Sequence, residues 1–87
     1  VRSKNSKAIS PAERDHMERV KGSDCSFCDG PGGYAHHIRQ GDHWTTVATC
    51  YDCHQGPQGI HGDQTLQRIY KRDELAALNI TIRRIYG

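Results

Sequence analysis

Apolar residues are thinly and unevenly spread along this chain, and the clearest elements are set by cap and turn residues. Ser10-Pro11-Ala12-Glu13 combines a capping box with proline at the first helical position, and Gly22 supplies a stop. Together they predict a helix from about Pro11 to Lys21. Its apolar face holds only Met17 and Val20, so the helix is expected to pack on a cysteine knuckle rather than to build a core. Asp29-Gly30-Pro31-Gly32-Gly33 reads as a turn. Ala35 to Ile38 and Trp44 to Thr49 read as two short strands of a hairpin, joined by the loop Arg39 to His43. The second has the stronger β-composition. A short helix is expected from His54, ended by Gln55-Gly56-Pro57-Gln58-Gly59. Gly62 or Asp63 caps a further helix bearing Leu66, Ile69 and Tyr70. Asp73 caps the last, in which Leu75, Leu78, Ile82 and Ile85 recur at helical spacing. These two helices are expected to carry most of the hydrophobic content.

Composition makes that thin pattern a stability problem. Leu, Ile, Val and Phe supply 14 of 87 residues, a fraction typical of disordered chains when net charge is high. Here the charge is only +2, so the chain is expected to fold with the help of a staple. Residues 1–9 carry Arg2, Lys4 and Lys7 with no acid and read as a disordered basic tail able to touch phosphates. Residues 10–87 read as one domain. No apolar run reaches the roughly 18 residues of a membrane span, and no signal-peptide core is visible. The expectation is a soluble intracellular protein with no membrane partner.

Four cysteines in two C-x-x-C pairs, Cys25/Cys28 and Cys50/Cys53, provide the staple. Four thiolates close a tetrahedral zinc site and leave no position for substrate, so the zinc is read as structural. Two readings stay open beside it. The pairs can be redox dithiols, and Cys50-Tyr51-Asp52-Cys53-His54 also has the C-x-x-C-H form of a covalent haem site, which leaves Cys25 and Cys28 idle and needs export.

The chain holds six histidines, five of them between positions 36 and 61. His36 and His37 are adjacent on the first strand, so their side chains point to opposite sides unless the strand kinks at the zinc site. An imidazole at His54 can face that strand and share a second metal with His36, and His61 can add a third nitrogen. Each alone is an ordinary surface histidine or a hydrogen-bond donor to the zinc site; as a group they read as a second metal site. His43 either orients that site or caps the loop, and His16 is read as a surface residue. Arg39, in the hairpin loop beside this group, is a candidate phosphate contact. Arg83 and Arg84 read as a solvated helix face. Tyr34 and Trp44 either stack on bases or pack on the core.

The order Cys-x2-Cys, Ala35-His36-His37-Ile38, Cys50-x2-Cys53-His54 resembles the HNH, or ββα-metal, nucleases in their zinc-stapled form. Met17-Glu18-Arg19-Val20, Cys53-His54-Gln55-Gly56, Ile60-His61-Gly62, Asp73-Glu74-Leu75-x2-Leu78-Asn79 and Thr81-Ile82-Arg83-Arg84 extend the likeness to the recombination enhancement function (Ref) nucleases of temperate phages and their prophage relatives. It covers roughly residues 11 to 87. The resemblance implies an α+β fold in which a zinc-stapled hairpin and short helix are flanked by one N-terminal and two C-terminal helices. It also implies His36 as a ligand of the catalytic ion, His37 as general base and His54 as second ligand. Two positions depart from the family pattern. The asparagine that orients the base falls near Thr45 or Thr46, where none stands, so its role is unassigned. His36 also replaces the usual acidic ligand, giving a nitrogen-rich site for Mg²⁺ or Mn²⁺, with Zn²⁺ binding adventitiously.

The implied activity is metal-dependent hydrolysis of DNA phosphodiesters. His37 would take the proton of the attacking water, and the ion held by His36, His54 and His61 would stabilise the departing 3′ oxygen. The resemblance further implies dependence on the RecA filament, action on displacement loops, and a place in the bacterial cytoplasm under phage or prophage control. A monomer is expected. The competing class is a non-catalytic zinc-finger module for DNA or protein, which has no use for three imidazoles beside a closed zinc site.

Overall fold

The computed structural model describes residues 9–87. The expected basic tail lies, apart from Ile9, outside the described residues. Six elements follow in order: α1 (Pro11–Lys21), β1 (Tyr34–His37), β2 (Thr46–Thr49), α2 (Tyr51–Gln55), α3 (Thr65–Tyr70) and α4 (Glu74–Tyr86). The architecture is α+β, with a two-stranded antiparallel sheet and four helices.

Helix α1 starts where its residues dictate. The Ser10 hydroxyl accepts from Glu13 N–H, and the Glu13 carboxylate accepts from Ser10 N–H. The helix lies on the hairpin and touches α4. Val20 is fully buried on that face, and the second buried residue is His16, only 1% exposed where a surface residue was expected. Its ring stacks on Tyr86 at 5.7 Å and leans on Trp44 at 5.0 Å, with Nδ1 bonded to the Tyr86 hydroxyl at 2.8 Å.

The hairpin pairs Tyr34 with Thr49, Ala35 with Ala48, His36 with Val47 and His37 with Thr46. Trp44 falls outside the second strand. The connection bends through Asp42 N–H to Arg39 O and Thr45 N–H to Asp42 O, while the Thr45 and Thr46 hydroxyls donate to Asp42 O and His43 O. All four β2 residues are buried, because α1 and α4 both pack on that strand. The alternation of a half-exposed strand is therefore missing.

The core is small: Phe27, Val47, Ile60 and Ala77 with the buried Cys25 and Cys53, and Leu66, Leu78 and Ile38 packed at its edge. A fully buried Val or Phe stabilises a fold by about 1.5–3 kcal/mol. So few of them leave the cysteine cluster a large share of the work.

The C-terminal helices bury less than their pattern suggests. None of α3 is buried, and Ile69 is 58% exposed. Its N-cap is Gln64, in the left-handed region at φ 65°, rather than Gly62 or Asp63, although the Asp63 carboxylate accepts from Thr65 N–H. Asp73 caps α4 as expected, accepting from Ala76 N–H at 2.8 Å. Leu75, however, is 70% exposed, and the buried face of α4 is Ala77 and Thr81. A threonine is tolerated there because its hydroxyl is saturated. It accepts from Ala48 N–H, donates to Ala77 O and shares a 2.7 Å bond with the Ser26 hydroxyl.

Candidate functional site

The four cysteine sulfurs lie within 4.8 Å of one another, from two knuckles on either side of the hairpin. In each, the N–H of the second cysteine donates to the first sulfur, Cys28 to Cys25 and Cys53 to Cys50. The gap between Cys28 Sγ and Cys50 Sγ is 3.8 Å. Tetrahedral zinc with bonds of about 2.3 Å requires sulfurs about 3.8 Å apart, so the donor set fits a zinc ion. The electrostatics agree. Burial pushes the Cys53 thiol up, as does the charge of Cys25, so the sulfurs cannot all ionise without a cation among them.

Asp29 ties this knuckle to the C-terminal helix. Arg72 binds its carboxylate through both terminal nitrogens, at 2.7 and 3.2 Å, and Arg84 adds a third bond at 2.6 Å. The same arginines reach the knuckle backbone, Arg72 at Ser26 O and Phe27 O, Arg84 at Asp24 O and Cys25 O. Arg84 is thus a clamp and not the solvated residue expected. Hydrogen bonds from Arg72 and then Arg84 pull the Asp29 carboxyl down to about 2.

Apart from the core residue His16, the histidines form two groups, one on each side of β1. His36, His54 and His61 bring ring nitrogens within 4.8 Å of one another. His54 Nε2 and His61 Nε2 are 3.2 Å apart. Two nitrogens bound to one ion at about 2.0–2.1 Å stand about 2.9–3.4 Å apart, so this pair fits a shared cation. His54 is the fourth residue of α2 rather than its first. The chain after α2 folds back through Ile60 N–H to Cys53 O and His61 N–H to His54 O, which lays His61 beside His54. Gly62 permits that return, since a Cβ there would collide with the Pro57 carbonyl. Burial, then the neighbouring His36 and His61, holds His54 below its ordinary pKa and keeps it available as a neutral donor.

His37 points the other way. Its Nε2 is 3.0 Å from His43 Nδ1, with the rings edge-on at 5.1 Å. Burial, then His43 and His36, holds His37 below its ordinary pKa. Thr45 and Thr46 spend their hydroxyls on loop carbonyls, and the side chain bonded to His37 is His43. Arg39 is highly exposed, 3.9 Å from Asp42. Tyr34 and Tyr51 are half-exposed and meet edge-on, with the Tyr34 ring 6.4 Å from His54. Trp44 is half-exposed over His16.

One site neighbour had no signal in the sequence. Glu74 Oε2 lies 2.6 Å from His36 Nε2. An acid in the first turn of a helix reads as a partner for the helix dipole, and nothing local links it to a histidine 38 positions earlier.

No family model, no curated protein and no solved structure matches the chain. Among the described residues no helix is long and apolar enough to cross a membrane.

Proposed function

We propose that this protein is a metal-dependent DNA endonuclease of the HNH, ββα-metal type. The observation that carries the reading is the pair of histidine groups on β1. Three imidazoles fit for one cation lie on one side, and on the other a neutral histidine is held by a second one. A zinc-binding module needs the four cysteines but neither histidine group.

In this mechanism His36, His54 and His61 hold a divalent ion, which when bound would polarise the scissile phosphate and offset charge on the leaving oxygen. An all-nitrogen donor set favours Mn²⁺ or Zn²⁺ over Mg²⁺, which prefers oxygen ligands; Mg²⁺ is carried by the family resemblance. His37 is the general base. When its Nε2–H donates to His43 Nδ1, the lone pair on its own Nδ1 is free to take a proton from water. A depressed pKa keeps that lone pair available at neutral pH. Arg39, highly exposed and held only by a long 3.9 Å pairing with Asp42, is placed to meet a phosphate. The resemblance to the Ref nucleases extends the reading to RecA-dependent cutting of the duplex invaded in a displacement loop, in a bacterial cytoplasm.

The test is a cleavage assay of wild type, His37→Ala and His54→Ala on single-stranded DNA and on displacement loops. It is run with and without a RecA filament, in Mg²⁺, Mn²⁺ or EDTA. Cleavage that requires a metal, His37 and His54 supports the nuclease. Dependence on RecA supports the Ref-like form, and cleavage without it reduces the assignment to a general HNH nuclease. DNA binding without cleavage under any condition favours the zinc-finger module.

A further inference from the structure

Strand β1 and helix α4 meet at one polar contact beside the histidine cluster. Glu74, the first residue of α4, sets Oε2 2.6 Å from His36 Nε2, and His36 is only 6% exposed. A carboxylate has no proton to give, so Nε2 carries the hydrogen and the remaining lone pair of a neutral His36 is on Nδ1. At that length the bond is charge-assisted, of the strong kind. Capping does not account for it, because Asp73 already caps α4. A residue serving the helix dipole alone would lie in solvent rather than against a buried imidazole.

We propose that Glu74 is the carboxylate of the histidine metal site, a positioning residue that locks His36 in the Nε2–H tautomer and brings a negative charge to a site otherwise built of imidazoles. This rests on reading His36, His54 and His61 as ligands of one divalent ion. A carboxylate behind a ligating histidine fixes ring orientation and raises the basicity of the nitrogen that faces the metal. Here the carboxylate comes from a helix that Arg84 also fastens to the cysteine knuckle, so one helix registers both sites.

The experiment uses the full chain with its cysteine site filled by one equivalent of zinc, and titrates Mn²⁺ calorimetrically into wild type, Glu74→Gln, Glu74→Ala and His36→Ala. Retained zinc and an unchanged circular dichroism spectrum show that each variant is folded. Wild type should bind one Mn²⁺. Glu74→Ala should bind it about 10–100-fold more weakly, and Glu74→Gln, which keeps an acceptor but loses the charge, should fall between. Before Mn²⁺ is added, imidazole ¹⁵N spectra should show His36 as the Nε2–H tautomer in wild type and as a mixture in Glu74→Ala. Wild-type affinity in both Glu74 variants, or an unmoved His36 tautomer, overturns this assignment and leaves the three-histidine site standing. A wild-type protein that binds no Mn²⁺, or a His36→Ala protein that binds it fully, overturns the metal-site reading and this inference with it.

Discussion

His37 and His43 face each other across the hairpin loop, Nε2 to Nδ1 at 3.0 Å. They stand six positions apart in sequence, and the loop bonds of Asp42, Thr45 and Thr46 bring them together. If His37 is the base and His43 its orienting partner, the two substitutions have different signatures. His37→Ala should lower the rate of DNA cleavage by about 10²–10⁴-fold, the usual contribution of a positioned general base. His43→Ala should cost less, and His43→Asn, which keeps a side-chain acceptor, should recover part of the loss. Single-turnover rates at saturating DNA, on proteins with full zinc content, check this. A His37→Ala enzyme that cuts at wild-type rate removes the assignment.

The cysteine cluster should decide whether the chain folds at all. The apolar core is a handful of side chains, and binding of structural zinc contributes about 10–16 kcal/mol in small zinc peptides. Alanine at Cys25, Cys28, Cys50 or Cys53 should therefore leave the chain largely unfolded, as should exhaustive chelation of wild type. Circular dichroism with zinc analysis measures both. A Cys53→Ala protein that keeps its helices and a cooperative melt would show that the core suffices without the metal.

What the sequence made legible and what it hid divide by range. The Ser10/Glu13 box, the Asp73 cap, the hairpin and the two knuckles are local patterns, and each appears in the structure where its residues place it. The misses come from contacts spanning tens of residues. Leu75 fits the helical period yet is exposed, while Thr81 is buried because Ser26 and Ala48, from other elements, satisfy its hydroxyl. His16 is buried because Tyr86, 70 residues away, lies against it. Of the candidate site, the clustering of His36, His54 and His61 followed from strand alternation and knuckle spacing. Glu74 and the Arg72–Asp29–Arg84 clamp had no local signal.

That clamp makes its own prediction. Asp29 is at φ 67°, a left-handed conformation that asparagine also accepts, so Asp29→Asn removes charge without straining the turn. The variant should melt at a lower temperature. Because the carboxyl is held at about 2 against an ordinary 3.8, the ion pairs are fully present above 3.8 and are lost as pH falls from there through about 2. Between pH 5 and 8 the gap in melting temperature between wild type and Asp29→Asn should therefore be constant. A gap that closes steadily across that window would mean the stabilising group titrates elsewhere.

His16 should make the fold acid-sensitive at a milder pH. Its Nδ1 is bonded to the Tyr86 hydroxyl, and its buried Nε2 has no hydrogen-bond partner among the described residues. Burial holds its pKa below the ordinary 6.5. In the unfolded chain the same ring takes a proton near 6.5, so below that pH the unfolded state binds more protons and stability falls as pH drops toward the folded value. His16→Gln removes this term, while every other histidine remains in both proteins. Denaturation midpoints from pH 7.5 to 5.5 should thus fall more steeply for wild type than for the variant. Tyr86→Phe should cost about 1 kcal/mol at pH 7.5 through the lost hydrogen bond. Parallel pH profiles for wild type and His16→Gln would show that burial does not depress the pKa of His16 in the fold.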